Sequence, residues 1–501
     1  MTMSRIEVER LDERFASDEG RVITRFWAPA TPRHEREVIG RLLDMSEHDV
    51  REGARRTIED FRDRHRDIER VLLAHERLVH DRLRTRADEA DLTLLARLET
   101  SALSHERRLL LGATFTQEYA VEAAAYFNPS IVPHPDQSGV PAGGLRYVLS
   151  FRAVGEGHLS SIVFRSGLIE PDGTIEEDPV GRFAERPEVI ADPSYDRHTF
   201  ALKLRELDAW NVTSAVILQG LPEQFELSEL ERSIAAHRQE FGDAVDERTL
   251  RTMLWLAESN YAIRFEEACD LSERVLFPVS RNETRGMEDA RFVRVVDDGD
   301  VVYYATYTAN NGFTAVPQLI ETRDFLQFKI ITLNGRSARG KGLALFPRRI
   351  GGRWAMLGRQ DGENLTLMFS DNLHFWHEHR ILLRPREPWE SVLIGNCGSP
   401  LETDAGWLVL THGVGPMRRY VIGAALLDRD DPSRVLGRLR EPLLTPAEHE
   451  REGYVPNVVY SCGGLIHGER LYLPYAMSDT SSAMAVIGLE PLLDALLAAG
   501  P

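Results

Sequence analysis

The first residue whose setting suggests chemistry is Asp289, in the run Gly286-Met287-Glu288-Asp289-Ala290-Arg291. The run leads directly into apolar residues typical of a strand, where a free carboxylate is costly unless it has a partner or a task. Two interpretations stay open at this point. Either the carboxylate forms an ion pair with Arg291 inside a turn, or it is a carboxylic acid that delivers a proton to a glycosidic oxygen.

Later segments contain cationic and polar side chains of the kinds that hold a small anion. They are Lys341, Arg359, His412 and Tyr420. Ammonium, guanidinium, imidazole and phenol groups all donate hydrogen bonds, and the charged ones also neutralise an anion. Each has a plainer interpretation when taken singly, because an isolated Lys or Arg is usually solvated and an isolated strand His usually belongs to the core. The four are informative only if the fold brings them together.

The segment from about residue 33 to 110 precedes these residues and is predicted to be helical. It is rich in Glu, Arg, Leu and Ala, and its apolar residues recur at helical spacing. The residues that mark this face are Ile58, Phe61, His65, Ile68, Leu72, His75 and Val79. We interpret the segment as a long amphipathic helix whose apolar face packs or oligomerises, with the two histidines as residues of that face rather than ligands.

Short apolar runs bounded by Gly, Pro and Asp begin after residue 111 and predict strands. Examples are 147–151 and 161–164. Helical sequence returns between about 222 and 272, in 227–232 and 249–256. We therefore expect a β-rich body that contains a helical insertion outside its catalytic core.

A four-strand unit recurs beyond residue 286 at steps of roughly 50 to 65 residues, which is the size range of a propeller blade. Its copies are marked by turns at Asp298-Gly299, Gly351-Gly352, Ala405-Gly406 and His467-Gly468. The segment from about 127 to 152 supplies a fifth unit. The sequence thus predicts a mainly β fold, a five-bladed β-propeller catalytic domain over 111–501, with an N-terminal helical extension over 1–110. In such a fold, polar residues from different blades converge on one central channel.

Composition excludes several classes of protein. The formal charge of −19 disfavours nonspecific nucleic-acid binding, which needs an excess of Lys and Arg. No run is long and apolar enough for a membrane helix, and the first residues lack the apolar core of a secretory signal, so we expect a cytoplasmic protein without a membrane or nucleic-acid partner. Cys269, Cys397 and Cys462 are too scattered for a zinc site and are interpreted as small apolar fillers.

Several motifs in a fixed order resemble glycoside hydrolase family 130. The resemblance is close from about 286 to 491 and thinner from 126 to 165. The motifs that carry it are 286–291, Leu345-Phe346-Pro347-Arg348-Arg349-Ile350, Ile394-Gly395, Gly406-Trp407-Leu408, His412-Gly413-Val414, Gly423-Ala424-Ala425-Leu426-Leu427-Asp428 and Val455-Pro456-Asn457-Val458-Val459. Members of this family are five-bladed propellers that act on β-mannosides, chiefly as inverting phosphorylases and in some cases as β-mannosidases.

The resemblance implies roles for individual residues. Asp289 matches the proton donor, and a phosphate-binding set comprises Lys341, Arg359, His412 and Tyr420. Substrate-binding positions are Asn128, Arg152, Glu288 and Asp479. The implied reaction is inverting phosphorolysis of β-linked manno-oligosaccharides, which yields α-mannose 1-phosphate and a shortened acceptor. Inorganic phosphate is then a co-substrate, and neither a metal nor an organic cofactor is expected.

Two departures from the family pattern keep alternatives open. Leu393 stands where phosphorylases commonly have Lys, which removes one phosphate cation that Arg418 or Arg419 would have to replace. Ala290 stands where Pro usually follows the catalytic Asp, which only loosens a turn. A β-mannosidase with Asp361 or Glu363 as its base is therefore the alternative enzyme. A noncatalytic, glycan-binding propeller is the third hypothesis, and in each case the helical extension is a candidate surface for homo-oligomers.

Overall fold

The computed structural model describes residues 6–100, 103–190, 194–242, 246–297, 299–312 and 315–501. The chain forms two compact units. The larger comprises the described residues of 1–17, 124–180 and 186–501, and the smaller comprises those of 18–123 and 181–185. It is a mixed α/β protein with many strands, so the mainly β expectation holds only in part.

The strands are numbered in chain order. They are β1 Val8–Phe15, β2 Val22–Phe26, β3 Thr116–Ala120, β4 Ala125–Pro133, β5 Leu145–Val154, β6 Ser160–Ile169, β7 Ile175–Glu177, β8 Glu188–Val189, β9 Ser194–Asp196, β10 Gln224–Glu226, β11 Tyr261–Arg264, β12 Val275–Leu276, β13 Gly286–Asp297, β14 Asp300–Asn310, β15 Ala315–Thr322, β16 Gln327–Thr332, β17 Lys341–Leu345, β18 Trp354–Arg359, β19 Leu365–Ser370, β20 His379–Leu383, β21 Leu393–Asn396, β22 Leu401–Thr403, β23 Gly406–Val414, β24 Tyr420–Leu427, β25 Val435–Arg438, β26 Val459–Tyr460, β27 Leu465–His467, β28 Arg470–Met477 and β29 Ser481–Gly488.

The helices are numbered in the same way. They are α1 Pro32–Asp44, α2 Glu47–Phe61, α3 Ile68–Arg86, α4 Glu89–Thr100, α5 His105–Thr114, α6 Arg197–Glu206, α7 Val212–Gln219, α8 Leu227–Phe241, α9 Glu247–Glu258 and α10 Leu489–Ala499.

The smaller unit contains α1 to α5 and the two-stranded sheet of β2 and β3. The expected single long helix over 33–110 is wrong. Its apolar face runs across α2 and α3, which are separated because Asp67, the residue before α3, adopts a left-handed backbone with φ of 50°. Ser46 caps the start of α2 by accepting from the backbone N–H of Asp49. The left-handed backbone at Asp67 and the cap at Ser46 therefore divide a segment that periodicity alone predicts as one helix.

The histidines of that face are buried, and each has a hydrogen-bond partner. His65 Nε2 lies 2.7 Å from Glu118 Oε1, and His75 Nδ1 lies 2.7 Å from Thr116 Oγ1. Both partners belong to β3, so the histidines join helices to a strand within the smaller unit. This agrees with their interpretation as packing residues.

Four sheets make up most of the larger unit. An eleven-stranded sheet has the order β4-β5-β6-β13-β14-β15-β16-β11-β8, with β7 and β12 also paired to β6. The other three are the four-stranded β17-β18-β19-β20, the five-stranded β21-β23-β24-β25 with β22 on β23, and the five-stranded β1-β29-β28-β26 with β27 on β28. The three predicted turns at 351–352, 405–406 and 467–468 connect antiparallel strands and are confirmed. Asp298, in the fourth turn, lies outside the described residues.

The eleven-stranded sheet joins two antiparallel groups of strands through one parallel residue pair. Ser160 on β6 pairs with Gly286 on β13. Gly286 has φ of 121°, and a Cβ there would lie 2.6 Å from the backbone nitrogen of Ser160. Only glycine fits this close approach. The glycine that opens the Asp289 motif thus sets where β13 meets its neighbour.

The helical insertion is longer than expected. Helices α8 and α9 confirm the predicted helical segments 227–232 and 249–256. Two further helices, α6 and α7, precede them, so helical structure begins at Arg197 instead of about 222. The β-branched residues of α7 favour strand by propensity. Asn211 nevertheless starts this helix, because its side chain accepts from the backbone N–H of Ser214 while the Ser214 hydroxyl accepts from the backbone N–H of Asn211.

The three cysteines are buried, as expected for small apolar fillers. In the described part of the chain, no helix is long and apolar enough to cross a membrane.

Lys203 ties the insertion to the eleven-stranded sheet. This buried side chain on α6 donates to Thr332 O and Thr332 Oγ1, both at 2.9 Å, and to Asn260 Oδ1 at 3.1 Å. All three acceptors are neutral, so no carboxylate among them offsets a charge on the amine. Burial therefore lowers the pKa of Lys203 from its ordinary value of 10.5 to about 7.

We expect the free energy of unfolding to rise with pH between about 7 and 10, because the unfolded chain binds more protons at Lys203 than the folded chain over this range. The slope from this group is at most about 1.4 kcal/mol per pH unit. Lys203→Met should flatten the rise, as measured by urea unfolding at several pH values. The control is Lys329→Met, which changes an exposed lysine of the same sheet. An equal slope in wild type and Lys203→Met would contradict the prediction.

Candidate active site

One cavity in the larger unit is lined by almost all of the site residues named from the sequence. Its volume is about 220 Å³. The lining residues are Asn128, Arg152, Asp289, Lys341, Gly342, Arg359, Gly395, Asn396, His412, Arg418, Tyr420, Val455, Val458, Tyr460 and Asp479. Glu288 is not among them but contacts two of them, Arg152 and Lys341. The residues that line the cavity therefore come from all four large sheets and from the loops between them.

Irregular backbone directs several of these side chains into the cavity. The ladders of β4 and β13 are interrupted by bulges at Asn128 and Asp289. Both residues have left-handed backbones, with φ of 53° and 56°, and Asp479 follows β28 with φ of 53°. A bulge re-aims a side chain that would otherwise alternate with the pleat, and such strain in residues other than glycine clusters at functional sites.

Asp289 is held by two neighbours from the β4–β5 hairpin. Its Oδ1 accepts from Asn128 Nδ2 at 2.7 Å and from Arg152 Nη1 at 3.3 Å. Arg291 donates to the backbone carbonyl of Asp289 at 2.9 Å instead of to the carboxylate. The carboxylate is thus engaged across strands, and the local turn ion pair is not formed by these two side chains.

The ionisation of Asp289 reflects opposing influences. Burial raises its pKa, but the positive charges of Arg152 and Arg291 and the hydrogen bond from Asn128 together leave the pKa below its ordinary value. The lowered pKa favours the ionised carboxylate at neutral pH. A proton-donating role requires a change of environment when ligands bind.

Glu288 lies behind the cavity at the centre of an ion cluster. This buried side chain accepts from Arg152 Nη2 at 3.1 Å, from Asn310 Nδ2 at 3.1 Å and from Lys341 Nζ at 2.8 Å. Arg152 joins the two acidic residues, because Nη1 reaches Asp289 and Nη2 reaches Glu288. Lys341 is thus paired with a carboxylate.

Arg359 and His412 meet on neighbouring sheets. Arg359 Nη1 donates to His412 Nε2 at 3.1 Å, and His412 Nδ1 donates to the backbone oxygen of Asn396 at 3.0 Å. These two contacts define a neutral imidazole with its proton on Nδ1. Burial, followed by the charges of Arg359 and Arg291, holds the pKa of His412 well below its ordinary value. His412 therefore orients Arg359 and adds no positive charge of its own.

Gly395 explains the Ile-Gly motif next to this pair. A Cβ at this position would lie 2.5 Å from His412 Cε1 and 3.3 Å from Arg359 Nη1. The absence of a side chain lets the imidazole pack on the strand and lets the guanidinium reach it. The neighbouring Leu393 is half-buried and is not part of the cavity lining.

Two tyrosines complete this side of the cavity. The rings of Tyr420 and His412 are stacked with centroids 6.2 Å apart, and the Tyr460 ring meets His412 edge-on at 4.9 Å. Arg291 Nη2 donates to Tyr460 Oη at 2.6 Å, so this hydroxyl can donate its own proton elsewhere. Sequence reasoning missed Tyr460, although it directly follows the Val455–Val459 motif.

Asp479 is the second carboxylate of the cavity. Burial, and next the charge of Asp289, raise the pKa of Asp479 to about 6, while Arg152 and Arg418 oppose the shift. Arg418 lines the cavity, and its side chain makes no hydrogen bond or ion pair within the described part of the chain. Arg419, Asp361 and Glu363 lie outside the lining.

Replacing Asp289 by Asn should lower the pKa of Asp479 from about 6 toward its ordinary value, because the substitution removes the neighbouring negative charge. Carboxyl titration by infrared or NMR spectroscopy of aspartate-labelled protein measures the shift. Asp361→Asn is the matched control, since Asp361 is held in a turn by the backbone of Glu363 and Asn364. A pKa for Asp479 that stays near 6 in Asp289→Asn would refute the coupling.

Comparisons with known proteins identify the family of this chain. Residues 242–497 match the model of glycoside hydrolase family 130, described as β-1,4-mannooligosaccharide phosphorylase. A 1,2-β-oligomannan phosphorylase of Thermoanaerobacter sp. (strain X514) is 35% identical over 229 residues, which cover 43% of this chain and 74% of that protein. A β-1,2-mannobiose phosphorylase of Listeria innocua is 32% identical over 234 residues, which cover 44% of this chain and 63% of the relative.

A solved structure of Listeria innocua β-1,2-mannobiose phosphorylase, in complex with β-1,2-mannobiose, aligns with a TM-score of 0.46 and 25% identity. The alignment covers 75% of this chain and 93% of that chain. The family match spans more than half of the present chain, and the first relative is matched over most of its own length. This chain belongs to glycoside hydrolase family 130, the β-mannoside phosphorylases, a family that also contains hydrolases.

Proposed function

We propose that the protein catalyses inverting phosphorolysis of β-linked manno-oligosaccharides. Phosphate attacks the anomeric carbon of the terminal mannosyl residue, Asp289 protonates the departing glycosidic oxygen, and the products are α-mannose 1-phosphate and a shortened acceptor. The observation that carries the proposal is Arg359, which faces the cavity with only a neutral partner, His412. Its buried Nε has no partner within the described part of the chain.

A cation without a counter-charge favours an anionic ligand. Arg418 adds a second cation at the cavity, near Asp479 but not ion-paired with it, and the Tyr420 hydroxyl is a donor on the same side. Phosphorylases of the family commonly have Lys at the position of Leu393. Arg418 is our candidate to supply the positive charge that is missing there. Lys341 joins this set if phosphate displaces it from Glu288, since its side chain is half exposed.

The acid step follows from the same charges. Phosphate near Arg359 brings negative charge into a cavity where Asp289 is kept ionised mainly by cations. That negative charge raises the pKa of Asp289, because a nearby like charge disfavours the carboxylate. Binding of phosphate and protonation of the acid are thus coupled, and the acid is ready only when the nucleophile is present. The remaining polar residues, Asn128, Arg152, Glu288 and Asp479, are proposed to hold the sugar.

Hydrolysis is the second candidate, because an inverting hydrolase needs a base as well as an acid. The bases considered from the sequence, Asp361 and Glu363, do not line the cavity, which disfavours them. Asp479 does line the cavity and is therefore the candidate base of a hydrolase. This single observation favours hydrolysis as the second candidate. Turnover that needs no phosphate distinguishes the two reactions.

We also propose that the larger unit is a five-bladed β-propeller. The four large sheets divide into five strand groups if the eleven-stranded sheet is separated at the Ser160–Gly286 pair. The first is built on β4 to β6, the second on β13 to β16, and the last is completed by β1. The helical extension over 1–110, the catalytic domain over 111–501 and self-association through the helices remain predictions, and size-exclusion chromatography tests the last.

Wild-type protein incubated with β-1,2- and β-1,4-mannobiose should release α-mannose 1-phosphate only when inorganic phosphate is present, as read by ³¹P NMR. Asp289→Asn should slow the reaction by about two to four orders of magnitude, because it removes the proton donor. Asp361→Asn should be close to wild type. Free mannose formed at the same rate without phosphate would exclude phosphorolysis, and its loss in Asp361→Asn would identify the base of a hydrolase.

Arg359→Met should raise the KM for phosphate by about 10- to 100-fold, because the loss of a hydrogen bond to a charged group weakens binding by about that factor. The KM for the oligosaccharide should change little. Arg419→Met, which removes an exposed arginine outside the cavity, is the matched control. Steady-state kinetics with phosphate varied at saturating sugar measure both constants. Equal phosphate KM values in the two variants would place the phosphate elsewhere.

A further inference from the structure

Two aromatic rings stand beside the cavity without a task in the reaction described so far. His158 and Tyr454 have ring centroids 5.7 Å apart and an angle of 30° between their planes. Tyr454 is 71% exposed, and His158 is also exposed. A tyrosine ring left this open to water has a large uncovered apolar face.

Both residues of the ring pair are close in sequence to residues at the cavity. Tyr454 directly precedes Val455, a lining residue, so their Cα atoms are about 3.8 Å apart. His158 lies in the turn between β5 and β6, whose strands contribute the lining residue Arg152 and its partner Ser160, with Nε to Oγ at 2.9 Å. The pair therefore lies at the edge of the cavity.

Hydrogen bonds hold the backbone segment that carries Tyr454. The N–H of Tyr454 donates to Thr480 Oγ1 at 3.1 Å, and the N–H of Val455 donates to Ser478 O at 3.0 Å. These contacts join the Tyr454 loop to the turn that carries Asp479. A Cβ on the preceding Gly453 would lie 2.5 Å from Ser478 O, so the loop is pressed closely on this turn.

The turn of His158 is also fixed. His158 has a left-handed backbone with φ of 59°, and its N–H donates to Gly155 O at 3.1 Å. The N–H of Gly155 in turn donates to Leu159 O at 3.1 Å. A strained residue other than glycine, kept at an exposed turn beside a binding cavity, is typical of a position selected for its side chain.

We propose that the His158–Tyr454 ring pair is the surface on which sugar residues of the leaving group stack after the chain passes the cleaved bond. This inference rests on the proposed function, since it assumes that an oligosaccharide enters the cavity. A pyranose presents a face of C–H groups that covers aromatic carbon, while its hydroxyls stay in water. The cavity has charged and polar residues for the mannosyl unit and phosphate, whereas the ring pair has none of these charges and suits a neutral sugar.

The expected consequence is a selective loss of oligosaccharide affinity. Tyr454→Ala should raise the KM for a β-linked mannotetraose about tenfold, with kcat and the KM for phosphate close to wild type. Tyr454→Phe keeps the ring and should behave as wild type. His158→Ala should give a smaller increase in the same constant. The matched control is Phe241→Ala, which removes a half-exposed ring from the insertion helix α8.

Binding measured by calorimetry separates this proposal from the proposed function. If the wild type turns the tetraose over and Tyr454→Ala has an unchanged KM, the stacking surface is overturned while phosphorolysis stands. If the wild type binds the tetraose without turning it over and Tyr454→Ala binds about tenfold more weakly, phosphorolysis is overturned and the surface stands. A wild type that binds no manno-oligosaccharide overturns both.

Discussion

The ion cluster of Arg152, Glu288 and Asp289 is the constraint on which the site depends. One guanidinium bridges two adjacent acidic residues that lie on a different strand pair, with distances of 3.3 Å to Asp289 and 3.1 Å to Glu288. Bulges at Asn128 and Asp289 make this arrangement possible, because they turn the side chains of these two residues out of the regular pleat. Removing the cation would leave two neighbouring carboxylates at the cavity wall without their shared counter-charge.

The distribution of charge around this cluster divides the cavity in two. On one side Asp289, Glu288 and Asp479 are near Arg152, so acidic and basic groups offset each other. On the other side Arg359 has a histidine partner that burial keeps neutral. The second half therefore has positive charge that no carboxylate partner of Arg359 offsets, and this is the basis of our proposal that phosphate binds there. The first half is suited to a sugar, whose hydroxyls both donate and accept.

Sequence reasoning was most successful for turns between neighbouring strands. It was least successful where a cap or a left-handed residue sets the start of a helix. The turns at 351–352, 405–406 and 467–468 were predicted from Gly and polar residues, because turn chemistry is local. The long helix over 33–110 was predicted wrongly because periodicity continues across Asp67, where the backbone reverses its φ. Helix α7 was missed because its β-branched residues favour strand and only the Asn211 cap indicates a helix.

Local sequence was sufficient to single out the acidic pair 288–289, the scattered Lys, Arg, His and Tyr residues, and the membership of the chain in its family. It did not reveal which charges neutralise one another. That Lys341 is paired with Glu288, that Arg359 has a histidine as its partner, and that Arg291 reaches Tyr460 at the cavity all depend on contacts between segments about 50 to 170 positions apart. Such contacts arise only when the sheets assemble, because distance in space, not distance along the chain, sets the strength of a charge interaction and the reach of a hydrogen bond.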